Sequence, residues 1–142
     1  MDKAPEAPNT VFRWPVRIRF IDTDASGRIH YTAMFRYFET AEIEFFRHIG
    51  VLYEHPGVSF PRVHVECDYR GAIRHDDLLT IEVSVGRIGR SSVQLKFRAT
   101  KEEIEAASGN VVIASLDRQT QRATALPENV RAKLLPYLSG GE

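Results

Sequence analysis

The sequence predicts an α+β domain in which a curved, five-stranded antiparallel sheet wraps around one long central helix, followed by a short C-terminal helix. Three observations lead there. The patterns run in the order strand, long helix, then four strands at hairpin-like spacing. The strands alternate with period two, as antiparallel strands with one apolar face do. Only one long helix is available to cover that face, and its apolar sector is too wide for a helix merely resting on a surface.

The first strand is expected from Pro15 to Asp22, where Val16, Ile18 and Phe20 alternate with Arg17 and Arg19. The helix is expected from Thr32 to Ile49, closed by Gly50, with Arg47 and His48 suited to its last turn. At 100° per residue, Arg36, Glu39, Thr40, Glu44 and Arg47 form a polar strip. Met34, Phe35, Tyr37, Phe38, Ala41, Phe45, Phe46 and Ile49 cover the rest, with Glu42 among them as an odd charge paired to an arginine or reaching water from the sector's edge. Val51 to Pro61 reads as a loop. Strands follow at Arg62–Arg70, Leu79–Val85, Val93–Ala99 and Val111–Leu116, with Ser108-Gly109-Asn110 as the turn before the last. Pro127 opens a short helix through Leu135.

The chain has 142 residues, the size of one domain with a core that needs no staples. Residues 1–14 are expected to form a flexible tail, 15–138 the domain and 139–142 a second tail. Nineteen basic and nineteen acidic residues cancel, which leaves no electrostatic footprint for nucleic acid or an anionic membrane. No apolar run approaches the roughly 18 residues of a membrane span, and the proline-containing leader lacks the apolar core of a secretory signal. The single cysteine, Cys67, excludes an internal disulfide and a multi-cysteine zinc site. A reducing, cytoplasmic setting is the expectation. A sheet edge left open on so small a domain would favour pairing between subunits.

The stretch Asp22-Thr23-Asp24-Ala25-Ser26-Gly27-Arg28-Ile29-His30-Tyr31 carries the chemistry. It places two carboxylates and a glycine turn between a strand and the amino end of an apolar helix. Such an end offers free N–H groups and a partial positive charge. A carboxylate facing it is suited to hydrolysis at a carbonyl, with Asp24 the candidate catalytic group. Asp22 reads as a turn carboxylate. No Gly-x-Ser-x-Gly elbow is present, which removes the serine-hydrolase route. His64, Glu66 and Asp68 share a strand face but read as a solvated or subunit-facing strip, so no metal is expected.

These residues resemble the hotdog-fold thioesterases of the 4-hydroxybenzoyl-CoA thioesterase-like family. The likeness rests on Phe20-Ile21-Asp22-Thr23-Asp24-Ala25-Ser26-Gly27 followed by Arg36-Tyr37-Phe38-Glu39, and extends from about Val16 to Leu135. It implies the hotdog fold, a homodimer or homotetramer with thioester sites at subunit interfaces, and hydrolysis of an acyl-CoA to free acid and coenzyme A. It implies Asp24 as the catalytic carboxylate, either nucleophile or general base. The amide polarising the thioester carbonyl falls at or near Tyr31. No cofactor is implied beyond the coenzyme A of the substrate itself.

Around that centre, Gly27 suits close ligand approach, His30 lies beside Tyr31, and Phe35 and Phe38 with residues near Pro61 are candidate acyl-pocket lining. Arg90, Ser91 and Ser92, in a compact basic connection between strands, suit the nucleotide phosphates of coenzyme A. Glu42 stands where many relatives carry Arg and Met34 where many carry Tyr; both bear on the shape of the acyl pocket. Arg28 is bulkier and more charged than expected after the glycine. Two alternatives remain at this stage: an acyl carrier protein as donor, or a non-catalytic domain that binds acyl-CoA.

Overall fold

In the computed structural model, which describes residues 9–51 and 55–139, the sheet and helix take the arrangement the resemblance implies. Five strands, β1 (Phe12–Arg17), β3 (Arg62–Tyr69), β4 (Leu78–Ile88), β5 (Ser92–Lys101) and β6 (Ile104–Ala114), pair in the order β1-β4-β5-β6-β3, antiparallel throughout. Two short strands, β2 (Val58–Ser59) and β7 (Leu116–Asp117), form a separate ribbon. The central helix α1 spans Met34–Ile49, and α2 spans Glu128–Leu134 after Pro127.

The core lies between α1 and the concave face of the sheet. Leu79, Ile81, Val83 and Val85 of β4 are fully buried, as are Leu95 and Ala99 of β5. They meet Met34, Phe38, Ala41 and Phe45 of the helix, and Phe38 stacks on Phe97 with ring centroids 4.8 Å apart. The polar strip of α1 faces outward, with Arg36, Glu39, Thr40 and Arg47 exposed. Gly50 takes a left-handed φ of 76° that ends the helix, and the Val51 amide closes back on the Phe46 carbonyl at 2.9 Å.

Three expectations need correction. The first strand occupies Phe12–Arg17, not Pro15–Asp22. Proline is tolerated at position 15 because β1 is an edge strand. Phe20–Asp22 instead forms a single 3-10 turn, which points Phe20 and Ile21 outward and swings Asp22 into the protein. Residues 12–14, expected in the tail, are therefore strand; residues 1–8 and 140–142 lie outside the described residues. The helix starts two residues late, at Met34, after an irregular turn over 31–33.

Ser108-Gly109-Asn110 is no turn; it runs through the middle of β6. A Cβ on Gly109 would stand 2.6 Å from both the Phe38 ring and the Glu66 carbonyl oxygen. This glycine lets the helix approach the sheet. The turn lies at Glu102 and Glu103, both at positive φ, the geometry of a two-residue hairpin.

Candidate active site

Asp24 stands in a small hairpin of its own. Thr23 bridges Ile29, the Asp24 amide donates to the Arg28 carbonyl at 2.8 Å, and the Gly27 amide closes the turn on the Asp24 carbonyl at 3.0 Å. Gly27 sits at φ 84°, where a side chain would be strained. The hairpin is pinned to the segment after β3 by the Ile29 amide on the Ile73 carbonyl, 2.7 Å, and by a bridge between Arg28 and Arg74. The Asp24 side chain is exposed. Its Oδ1 accepts the Ser26 amide at 2.8 Å and the Ser26 hydroxyl at 2.6 Å. Those donors, the hydroxyl first, hold the carboxyl below the usual carboxylate range.

Asp24 was expected to face the helix end; its hydrogen-bond partners among the described residues are Ser26, Gly27 and Arg28 of its own hairpin. The chain returns towards α1 only at His30, whose amide donates to the Asp22 carbonyl at 2.8 Å.

Asp22 is buried and fully engaged. Its carboxylate accepts the Tyr37 hydroxyl at 2.5 Å and pairs with the Arg36 guanidinium. Tyr37 in turn accepts the Arg19 amide at 2.9 Å. The Tyr37 bond and then the Arg36 bond lower the Asp22 pKa, while burial raises that of Tyr37. The sequence reading of Asp22 as a structural carboxylate agrees with this, although side chains satisfy it rather than backbone amides.

Tyr31 is 72% exposed, and its amide has no acceptor among the described residues. Its carbonyl accepts the Tyr69 hydroxyl from the end of β3, and its ring stacks on His30 at 4.7 Å. His30 Nδ1 takes the Thr32 amide at 3.2 Å and meets the Thr32 hydroxyl at 2.8 Å. Phe35 is half-buried in the first turn of α1, edge-on to Phe38. A groove of about 290 Å³ beside it is lined by Phe35, Phe38, Val65 and Val111, with Glu42 and Arg62 also contributing. That groove contains the expected lining residues Phe35 and Phe38, and Arg62 next to Pro61. Asp24 does not line the Phe35–Phe38 groove.

Gly27, His30, Tyr31 and Phe35 thus gather at one end of the molecule with Asp24. Arg90, Ser91 and Ser92 do not. They occupy the β4–β5 hairpin, at the far end of β4 from Leu78, which pairs with Arg17 on the approach to the Asp24 hairpin. The span of β4 separates the two groups by about 30 Å of strand. The hairpin packs instead on the α2 region, where Arg131 donates to the Gly89 carbonyl at 2.8 Å and the Leu126 amide to that of Arg90 at 2.8 Å.

Three residues of this region went unassigned in the sequence reading. Ser26 was legible, since Asp-x-Ser-Gly is an Asx-turn pattern. The Tyr37 partner of Asp22 was hidden in the apolar sector of α1. Tyr69 carried no signal, because its contact with Tyr31 joins residues 38 positions apart. Glu42 is buried and paired with Arg62, the arginine-paired alternative of its two readings. His64 and Glu66 pair with each other at 3.0 Å, and no cluster of three or more potential metal ligands occurs among the described residues. Within the same residues, no helix is long and apolar enough to cross a membrane.

Comparison with known proteins matches residues 18–134 to the thioesterase-like superfamily. The acyl-CoA thioesterase YbgC of Haemophilus influenzae is 27% identical over 125 residues, covering 85% of this chain and 92% of that one. A 1,4-dihydroxy-2-naphthoyl-CoA hydrolase of Synechococcus sp. (strain CC9605) is 30% identical over 122 residues, covering 80% and 82%. Among solved structures, a 1,4-dihydroxy-2-naphthoyl-CoA thioesterase from Synechocystis superimposes with a TM-score of 0.82 over 88% of this chain and 96% of that one, at 12% identity. That last likeness is one of fold.

Proposed function

The chain belongs to the thioesterase-like superfamily, and from that membership we propose that it hydrolyses an acyl-CoA thioester to the free acid and coenzyme A, with Asp24 as the catalytic carboxylate. One observation carries the assignment of Asp24. It is an exposed carboxylate held below the usual carboxylate range by Ser26, in the same loop as a Tyr31 amide with no acceptor among the described residues.

The reaction asks for a nucleophile or a base, a held oxyanion and a leaving thiolate. Asp24 serves either by attacking the thioester carbonyl, giving a mixed anhydride that water then opens, or by taking a proton from the attacking water. In both routes the carbonyl oxygen becomes anionic and the Tyr31 amide donates to it. One such donor is worth about 2.7–4 kcal/mol in the transition state. The Tyr69 hydroxyl, bonded to the Tyr31 carbonyl, restrains the backbone next to that amide. The acyl group lies along the Phe35–Phe38 groove.

The site is completed by a second copy of the chain. Phe20, Ile21 and Tyr31 around Asp24 are each more than 70% exposed, and the unpaired edge of β3 presents Val63 and Val65 to solvent. A partner seated there would cover Asp24, and the Arg90-Ser91-Ser92 hairpin would reach the coenzyme A phosphates from another subunit. A cytoplasmic setting goes with this reading, since the lone Cys67 forms no internal disulfide.

A thiol-release assay over aromatic, short, medium and long acyl-CoAs tests the activity. Asp24→Asn should lower kcat by about a hundredfold or more, the usual scale for a lost acid–base group, with folding intact. Asp22→Asn should cost mainly thermal stability, through its buried bonds to Tyr37 and Arg36. Equal kcat losses in two folded variants would reject Asp24 as the reacting group.

A further inference from the structure

Glu42 is only 3% exposed, yet the reaction above gives it nothing to do. Its carboxylate meets the Arg62 guanidinium, which also donates to the Phe60 carbonyl at 2.8 Å. Arg62 lines two spaces. On one side is the groove bounded by Phe35, Phe38, Val65 and Val111, with Glu42 in its wall. On the other is a small cavity of about 30 Å³, walled by Phe46, Val93, Ile113, Leu126 and Val130. Apart from Arg62, every side chain lining that second space is apolar. A charged pair thus stands between the aromatic and valine side chains of the groove and an apolar cavity.

We propose that the Glu42–Arg62 ion pair is the stop that ends the acyl groove and sets the longest acyl group the enzyme accepts. From Phe35 to Glu42 the groove follows about 10 Å of helix. Hydrocarbon that ends short of the pair lies on Phe35, Phe38, Val65, Phe97 and Val111, with the exposed Arg36 and Glu39 also bounding the groove. A longer chain must press against the ion pair or part it, and a buried charge drawn from its partner is strongly disfavoured. The apolar cavity behind would hold the extra methylenes if the pair were gone. Replacing a buried ion pair by apolar side chains of similar volume is often neutral or stabilising, so the stop can be removed without losing the fold. This inference rests on the acyl-CoA hydrolase reading and adds the determinant of chain length to it.

The test compares the wild type with Glu42→Leu/Arg62→Leu over a ladder of straight-chain acyl-CoAs. Affinities for the matching S-alkyl-CoA thioethers, which cannot be hydrolysed, are measured in parallel. At the first length the wild type rejects, the variant should gain about tenfold or more in kcat/KM and a similar factor in thioether affinity, the scale of a methylene accepted by an apolar pocket. Short chains should change little. Adding Val130→Leu to that variant should reverse part of the gain by refilling the cavity. A folded variant that keeps the wild-type length limit overturns the proposal, as does an equal change at every length. Should that double variant fail to fold, Glu42→Met/Arg62→Met, which is closer in volume to the native pair and likewise leaves no unpaired charge, is read by the same criteria. A wild type that releases no thiol from any acyl-CoA rejects the hydrolase reading instead, while the thioether affinities still decide the stop.

Discussion

At Asp24 both Ser26 donors converge on Oδ1, and the Arg28 backbone amide adds a smaller stabilisation of the carboxylate, which stays exposed. The carboxylate is therefore anchored and lowered in pKa by donors of its own turn while it remains open to solvent. The hydroxyl is the larger of the two Ser26 effects, so Ser26→Ala raises the Asp24 pKa towards the ordinary value of about 3.9. The sign follows. If ionised Asp24 is the working form, kcat/KM falls as pH drops through its pKa, and in Ser26→Ala this acid limb shifts to higher pH. Activity near neutral pH changes little. A limb that stays in place would mean that another group titrates there. The Asx pattern around Asp24 was readable because all its bonds lie within a few residues. The burial of Asp22 was not, since it depends on a 3-10 turn that interrupts the strand alternation and on an arginine and a tyrosine one turn into the helix.

Among the elements, α1 and β6 show where pattern reading holds and where it stops. The wide apolar sector of α1 correctly implied a helix wrapped by sheet, because periodicity records which faces are buried. It carried no information about how closely the helix approaches. Gly109 does, but beside serine and asparagine it mimics a turn. The turn that exists uses two glutamates at positive φ, residues with no special preference for that conformation. Gly109→Ala should therefore destabilise the fold by about 1–3 kcal/mol, as overpacked cores do, because one clashing neighbour is the Glu66 backbone and cannot rotate away. Equilibrium denaturation measures it; an unchanged midpoint would show that α1 can lift from the sheet without cost.

Across the whole molecule, the two sheet edges differ. β1 is short and carries Pro15 and two exposed arginines, Arg13 and Arg17, which discourage pairing. β3 offers eight residues with exposed Val63 and Val65 and no proline, its polar His64, Glu66 and Asp68 alternating with the apolar positions. Its apolar face also continues the Phe35–Phe38 groove through Val65. The open edge on a small domain was legible, and the proposed second copy rests partly on it. The placement of Arg90 was not, because spacing along the chain says nothing about which end of a sheet a hairpin occupies.

That separation by the length of β4 has a genetic counterpart. If each catalytic centre draws its carboxylate from one polypeptide and its phosphate-binding hairpin from another, then Asp24→Asn and Arg90→Ala chains, each nearly inert alone, should complement one another when refolded as a mixture. For a dimer, half the assemblies are mixed and each holds one undamaged centre, so about a quarter of wild-type turnover should return. Without such recovery, every polypeptide would have to be a self-sufficient catalyst.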